Sequence, residues 1–266
     1  MTRRVLQPVA ALAPWVRHIM AGGFESERVL LPACADVQLL MYLQGGAFVI
    51  DPACSETPLP RIFLVGPVQH PRQYRVAPGS RFVAVTFRPG GLQACLGMAA
   101  SAVMGRIVTL DAGVLEEALT QSEEHAPAFL QQALLTRLHA RGTPPPGLPA
   151  LDLENVERPV PELAKELGIG VRQLERRFLD SLGMPLREYR RLARYSAAMT
   201  ALMMQGASPQ ALASLAQDAG YVDQAHFTRD FSAMVGQPPG RFLRQRGDAQ
   251  YALWQFTREE LESYLS

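Results

Sequence analysis

The sequence predicts an α+β protein made of two unlike halves, a mostly antiparallel β domain followed by an all-α domain. Short apolar runs bounded by Pro, Gly and Asp, which are typical of strands, occur at residues 37–43, 47–50, 61–65 and 81–87. Beyond residue 160, apolar residues recur at helical spacing instead. A segment rich in Pro and Gly, residues 141–149, separates the two patterns and is typical of an extended linker.

The domain limits follow from these patterns. Helical patterns at residues 92–96, 114–119 and 128–140 end the first half. We predict a first domain over residues 1–141, a proline-rich linker over 142–150, an all-α domain over 151–247 and a helical extension over 248–266. Because the linker should be extended, we expect few contacts between the halves and a C-terminal fragment that folds alone.

Composition narrows the class of protein. The chain has 266 residues, of which 48% are hydrophobic and 19% charged, and a net charge of +1, which indicates a globular protein. No charge-free stretch is long enough to span a bilayer, and the N-terminal residues do not form a secretory leader. We therefore expect a cytoplasmic protein with no membrane partner.

Patterns for catalysis and metal binding are also missing from the sequence. Three widely spaced cysteines, Cys34, Cys54 and Cys95, form no CxxC pair, and the histidines have no ligand spacing. We find no Ser/His/Asp or Cys/His pairing, P-loop or dinucleotide-binding glycine motif. We therefore expect no metal, no cofactor and no enzymatic activity.

The C-terminal half contains a duplicated unit. Leu163-Ala164 followed by Gly168 matches Leu215-Ala216 followed by Gly220. After the insertion of one residue the match continues at a constant separation, in the pairs Arg176 and Arg229, Phe178 and Phe231, Gly183 and Gly236, Pro185 and Pro238, Tyr189 and Phe242, and Arg191 and Arg244. Such a repeat indicates two copies of one structural unit.

Each copy has the pattern of a helix, a tight turn and a second helix. The second helices are expected to bury an apolar stripe, Val171, Leu174 and Phe178 in the first copy and Phe227, Phe231 and Met234 in the second. Arg176 and Arg229 lie on the opposite faces. This is the layout of a helix-turn-helix, whose second helix enters the major groove of DNA. Arginine there can bind guanine; alternatively, both arginines form surface ion pairs.

The segment between the two copies supports this hypothesis. Residues 185–205 contain no internal Gly or Pro and predict one helix. At about 1.5 Å per residue the helix is about 30 Å long. One turn of B-DNA is about 34 Å long, so a single chain could place its two second helices in successive major-groove segments.

The stretch from Leu163 to Arg244 resembles the DNA-binding domain of the AraC/XylS family of transcription regulators. The residues that carry the resemblance are Gly220-Tyr221-Val222-Asp223-Gln224-Ala225-His226-Phe227-Thr228-Arg229-Asp230-Phe231, followed by Gly236, Pro238, Pro239 and Phe242. Tyr221 stands for the family's usual Phe, and Ala225 for its usual Ser. The resemblance implies a sequence-specific regulator with double-stranded DNA and RNA polymerase as partners.

The resemblance also implies which residues bind DNA. Base contacts are expected from Arg172, Glu175 and Arg176 in the first copy and from Gln224, Ala225, His226 and Arg229 in the second. Glu175 either accepts a hydrogen bond from cytosine N4 or orients a neighbouring arginine. We expect Arg187, Arg191 and Arg244 to contact phosphates.

The N-terminal half resembles the cupin-like barrel domain found ahead of some AraC-type modules. The resemblance is carried by Pro14-Trp15-Val16, the strand pattern and Phe87-Arg88-Pro89-Gly90-Gly91. It implies a domain that binds a small effector, forms a homodimer, or does both. Arg88 is a candidate ligand for an anionic effector; alternatively, it ends a strand whose glycines make a turn.

Two alternatives stay open for the N-terminal half. One is a cysteine-based sensor of redox state or alkylation that uses Cys34, Cys54 or Cys95. The other is a dimerisation domain without any ligand, which would raise affinity for paired DNA sites by avidity alone. The sequence favours the effector hypothesis, because apolar strands can line a ligand pocket.

Overall fold

The computed structural model describes residues 3–24, 26–111, 113–142, 158–205, 209–245 and 248. The predicted linker beyond Gly142 and the predicted C-terminal extension beyond Asp248 lie outside the described residues. None of the described helices is long and apolar enough to cross a membrane.

The N-terminal half consists of two antiparallel sheets. The strands are β1 Arg4–Leu6, β2 Val16–Gly23, β3 Arg28–Leu31, β4 Val37–Gln44, β5 Ala47–Ile50, β6 Glu56–Pro58, β7 Ile62–Val65, β8 Arg72–Val76, β9 Arg81–Phe87 and β10 Ile107–Thr109. A six-stranded sheet has the order β1-β2-β9-β4-β7-β10, and a four-stranded sheet has the order β3-β8-β5-β6. The predicted mostly antiparallel β domain is therefore confirmed.

Both faces of the six-stranded sheet are covered. One face packs on the smaller sheet through an aromatic core that includes Tyr42, Phe63, Tyr74 and Phe82. The other face packs on helices α1 Gly91–Leu96 and α2 Ala126–Ala140, and on two 3₁₀ helices, Ala100–Ala102 and Gly113–Thr120. Strands β2 and β9, both in the interior of the sheet, are therefore almost continuously buried, as expected for strands between two layers.

The C-terminal half is all helical, as predicted. The helices are α3 Val160–Glu166, α4 Val171–Leu182, α5 Leu186–Gln205, α6 Pro209–Asp218, α7 Gln224–Val235 and α8 Pro239–Arg244. The predicted long helix is α5, with 20 residues. Its buried residues, including Leu192, Tyr195 and Leu202, form one continuous core with the helices on either side.

Several local predictions differ from the structure. Residues 114–119 lie in the 3₁₀ helix Gly113–Thr120, not in an α-helix. Strands β1, β2, β3, β6, β8 and β10 were not predicted. Strand β8 has the sequence Arg-Gln-Tyr-Arg-Val, whose polar residues hide the alternation, and β2 ends in two glycines, which are uncommon in strands.

The expectation of few contacts between the halves is wrong. The Ala33 N–H donates a hydrogen bond to the Met234 carbonyl at 2.8 Å, and the Gly90 N–H donates one to the Ser181 carbonyl at 3.1 Å. Ala33 is buried in the core of the helical half. The N-terminal half therefore packs directly on the helical half.

We predict that the N-terminal domain loses stability in acid through His18. This histidine is buried in β2, and its Nε2 lies 3.0 Å from Oγ1 of Thr86 in β9. Burial, together with Arg17, lowers the pKa of His18 to about 4, although Asp36 acts in the opposite direction. The folded state therefore disfavours the protonated imidazole. The stabilisation is complete above the unfolded pKa of about 6.5 and is lost as pH falls from there towards 4.

The expected loss is about 3 kcal/mol over this interval. Urea unfolding between pH 7 and pH 4 measures it. His18→Gln retains a polar group for Thr86 but cannot titrate, so its unfolding free energy should vary less over the same interval. An equal pH dependence in both proteins would contradict the assignment.

Candidate nucleic-acid interface

The second unit, α6 and α7 with the turn between them, has the geometry of a helix-turn-helix. Gly220 has φ 78° in the turn, a conformation that glycine adopts without strain. Asp223 is the N-cap of α7, and its Oδ1 accepts a hydrogen bond from the His226 N–H at 2.6 Å. This cap fixes where the second helix begins.

An aromatic core holds α7 in place. Phe227 packs against Tyr221 and Phe231 with ring centroids 5.3 and 5.5 Å apart, and Phe231 packs against Phe242 of α8 at 5.7 Å. Tyr221, which stands for the family's usual Phe, is itself buried, and burial raises the pKa of its hydroxyl. The ring fills an apolar position and also packs nearly perpendicular to the ring of His226, with the centroids 5.2 Å apart.

The opposite face of α7 is open to solvent. Gln224, Ala225 and Arg229 are exposed, and His226 is half-buried. The side chains predicted to contact bases are thus grouped on the N-terminal part of one helix, which is the part that contacts base edges in a helix-turn-helix. We call these four residues the second reading face.

The first unit, α3 and α4, repeats the arrangement. Gly168 ends α3 with φ 63°, and Leu174 and Phe178 are buried, as predicted. Arg172, Glu175 and Arg176 are all exposed on the opposite side and form the first reading face. The prediction that Val171 is buried is wrong, because its side chain is 39% exposed. Val171 is the first residue of α4, so no preceding helical turn covers it.

The three predicted phosphate-contacting arginines differ in environment. Arg187 has a side chain that is 91% exposed and pairs with the neighbouring Glu188, and Arg244 is exposed at the end of α8. Arg191 is instead partly buried, and its Nε and Nη2 both donate to Asp230 Oδ1 at 3.1 and 3.0 Å. This guanidinium joins α5 to α7, and its contact with a phosphate stays a prediction.

The role of Asp230 was not predicted from the sequence. The residue is buried at a position where the periodicity of α7 calls for an apolar residue, between Phe227 and Phe231. Its second oxygen, Oδ2, is buried without a hydrogen-bond partner among the described residues and lies 3.9 Å from His226 Nε2. An acidic residue on an apolar stripe is the signal that could have revealed this internal ion pair.

Arg88 lies between the two halves. Its Nε donates to the Ala13 carbonyl at 3.0 Å, and it lines a narrow crevice with Asp36, Ser181 and Tyr189. Burial and the nearby Arg17 lower the pKa of Arg88. The structure thus gives Arg88 a place in the packing of the two halves, and a role in effector binding stays a prediction.

The N-terminal half makes an equivalent contact with each of the two helix-turn-helix units. Ser181 in α4 and Met234 in α7 are separated along the chain by the same interval as Phe178 and Phe231, and each is the penultimate residue of its helix. Each of the two carbonyls accepts a backbone hydrogen bond from the N-terminal domain. The domain therefore contacts both second helices at equivalent points, which we call the docking points.

We predict that Arg191→Met lowers the free energy of unfolding by about 1–3 kcal/mol, because Asp230 is left as a buried carboxylate without its charged partner. Methionine keeps most of the apolar stem of arginine. The double variant Arg191→Met/Asp230→Met should recover much of the loss, because it removes both charges together. Urea unfolding of the two variants and the parent measures this difference; equal losses in the single and double variants would contradict the assignment.

The chain matches two protein families. Residues 163–245 match a family described as a helix-turn-helix domain, and residues 4–109 match a domain of unknown function, DUF6597. No curated protein sequence matches the chain significantly.

Solved structures that match this chain include ToxT and CdpR. ToxT from Vibrio cholerae is 15% identical over 85% of this chain and 98% of its own, with a TM-score of 0.43. ToxT bound to (E)-4-(8-methylnaphthalen-1-yl)but-3-enoic acid is 14% identical over 92% and 99%, with a TM-score of 0.44. The transcriptional regulator CdpR from Pseudomonas aeruginosa is 18% identical over 61% and 45%, with a TM-score of 0.30. These values are too low for any residue or ligand to be carried over.

The assignment of the helical half to a type of domain rests instead on the sequence and geometry of this chain. The signature of residues 220–231 folds as a capped helix-turn-helix, and an equivalent unit lies at the other end of α5. Together with the family match over residues 163–245, these features show that this part of the chain is a helix-turn-helix DNA-binding domain of the AraC type.

Proposed function

We propose that the chain reads two successive major-groove segments and that its N-terminal domain controls this reading in response to a small effector. The observation that carries the proposal is the pair of docking points at equivalent carbonyls of α4 and α7. A domain that contacts both recognition helices at once can pass a change in its own packing to both of them.

The spacing of the reading faces supports the proposed reading of two successive major-groove segments. Helix α5 has 20 residues and lies between the two units. At about 1.5 Å per residue it is about 30 Å long, against about 34 Å for one turn of B-DNA. The two reading faces then meet the same side of the duplex in neighbouring turns.

Each reading face offers groups that suit base edges. Arg172, Arg176 and Arg229 can each donate two hydrogen bonds to guanine O6 and N7, and Gln224 can pair with adenine. Glu175 can accept from cytosine N4, and His226 and Ala225 complete the second face. Arg187 and Arg244 supply charge for phosphates, which hold the protein on the duplex without selecting a sequence.

The effector part of the proposal depends on the N-terminal domain. An apolar cavity of about 40 Å³ lies between its two sheets, lined by residues that include Phe24, Tyr42, Phe63 and Tyr74. Pockets for small molecules usually enclose about 300 Å³ or more, so an effector has to widen the space between the sheets. Such a movement would displace the loops at Ala33 and Gly90, which carry the docking points. Arg88, beside Gly90, lines the separate crevice between the halves and is our candidate contact for an anionic effector that binds there instead.

The cysteine-sensor alternative has less support. Burial raises the pKa of Cys34 and of Cys95 to about 12, so neither is a thiolate at neutral pH. Cys54 is exposed and is the remaining candidate.

We also propose RNA polymerase and a second copy of the chain as partners. Sedimentation with and without operator DNA tests dimerisation, and a monomer under both conditions would rule out the ligand-independent dimer.

We predict that Arg229→Ala and Arg187→Ala affect DNA binding in different ways. Loss of Arg229 should cost about 1–3 kcal/mol on the preferred site and relax the preference at its base pair, because a base contact is lost. Loss of Arg187 should weaken all sequences alike and lower the salt slope by about one unit. Selection from random DNA, followed by affinity titration at several salt concentrations, separates the two. An unchanged motif and affinity in Arg229→Ala would show that α7 does not read bases.

We predict that weakening one docking point changes the affinity for DNA. Ala33→Pro removes the N–H that donates to Met234, whereas the matched control Ala33→Gly keeps it. A coupling of about 1–3 kcal/mol corresponds to a change of about 5- to 150-fold in affinity. We expect such a change in Ala33→Pro only, measured by fluorescence anisotropy on the selected site, with circular dichroism to check folding. Equal affinities in a folded Ala33→Pro variant and the control would argue against control through docking.

A further inference from the structure

Exposed apolar side chains are concentrated in the helix-turn-helix units. Among the residues that the structure describes, six large apolar side chains are exposed, and four of these lie in the two units: Leu167, Val171, Leu179 and Val222. Isolated exposed apolar residues are common on protein surfaces. Here, however, they fall in the part of the chain that faces DNA, which suggests that they have a role there.

Two of the four stand at the N-terminal ends of the recognition helices. Val171 is the first residue of α4, and Val222 directly precedes Asp223, the N-cap of α7. Their side chains are 39% and 85% exposed. In a helix-turn-helix, the N-terminal residues of the recognition helix contact the base edges. Both valines are therefore placed next to the residues of the reading faces.

A comparison of the two copies shows that packing does not require either valine. The counterpart of Ile169 is Tyr221, since their N–H groups donate to the equivalent carbonyls of Ala164 and Ala216 and both residues pack in the core of the helical half. Val222 is therefore the residue inserted in the second unit and has no counterpart in the first. The counterpart of Val171 in the second unit is Gln224, which is polar and exposed. Each unit thus carries one exposed valine, at a different position of the repeat, and the protein core accounts for neither.

We propose that Val171 and Val222 determine sequence specificity by contacting the C5-methyl groups of thymine in the major groove. The inference rests on the proposed reading of two groove segments by α4 and α7. The thymine methyl is the apolar group that a base pair presents in the major groove, and apolar side chains contact it. Arg172 lies beside Val171, and Asp223 and Gln224 lie beside Val222, so hydrogen bonding to neighbouring bases accompanies each methyl contact. The preferred site should therefore contain thymine in both segments.

Replacement of thymine by uracil tests the proposal, because it removes the methyl group and leaves the hydrogen-bonding edge unchanged. The full chain is titrated, at one salt concentration, with its selected site and with versions in which each thymine in turn is uracil. Burial of one methyl-sized group corresponds to roughly a fourfold change in affinity. We expect a loss of this size at one or more thymines in each segment.

Matched variants assign each loss to a side chain. Val171→Ser should abolish the uracil effect in the first segment only, and Val222→Ser in the second only. Val171→Thr and Val222→Thr keep a methyl group on the side chain, so these variants should retain the uracil effect. Leu179→Ser is the control, because Leu179 is 40% exposed on the same helix as Val171 but more than two turns after it. It should leave every uracil effect unchanged.

The outcomes separate this inference from the function on which it rests. Uracil effects that are absent, or that persist in both serine variants, would overturn the assignment of the valines while the selected motif still supports base reading. Failure to select any motif with the full chain would overturn the proposed reading itself, and the valine assignment with it.

Discussion

The fixed length of α5 is the constraint on which the DNA-binding half depends. Both helix-turn-helix units pack against this helix, and its buried residues, among them Leu192, Tyr195 and Leu202, belong to the same core as Phe178 and Phe231. The two units are therefore parts of one packed body and not independent modules on a flexible tether. A change in their separation would require helix α5 to bend or its core to open, and interiors packed to native density resist both. The spacing of the reading faces is thus a property of the folded chain before any DNA is bound.

The two helix-turn-helix units differ in the contacts that stabilise them. In the second unit, Asp223 caps α7 with its side chain, and Arg191 fastens α7 to α5 through Asp230. In the first unit, Gly170 occupies the N-cap and offers no side chain. The aromatic contacts of Phe227 and Phe231 likewise belong to the second unit. The same backbone plan is thus stabilised more by polar and aromatic contacts in one copy and more by aliphatic packing in the other.

The sequence predicted the helical half well because its signals are local and repeated. Apolar residues at helical spacing, glycines at the turns and the duplication together identified the recognition helices and the long helix between them. The exposure of Val171 was not predicted, since helical periodicity says nothing about whether a preceding turn covers the first residue. Asp230 was missed because its partner, Arg191, lies on another helix and far away in the sequence. In the sheets, β8 was missed because charged residues stand beside its buried Tyr74 and Val76. The packing of the two halves could not be predicted from the sequence, because the hydrogen bonds between them join backbone groups.

The use of backbone groups at the docking points has a consequence for how such a protein can evolve. A main-chain N–H and a main-chain carbonyl are present whatever residue occupies the position, proline apart for the N–H. The side chains of Ser181 and Met234 already differ completely, yet both carbonyls accept the same kind of bond. Lineages can therefore exchange residues at the contact, and alter the sensing domain and the operator preference separately, without losing the connection between them. Correlated substitutions across this boundary should accordingly be sparse, even though the two domains are physically joined there.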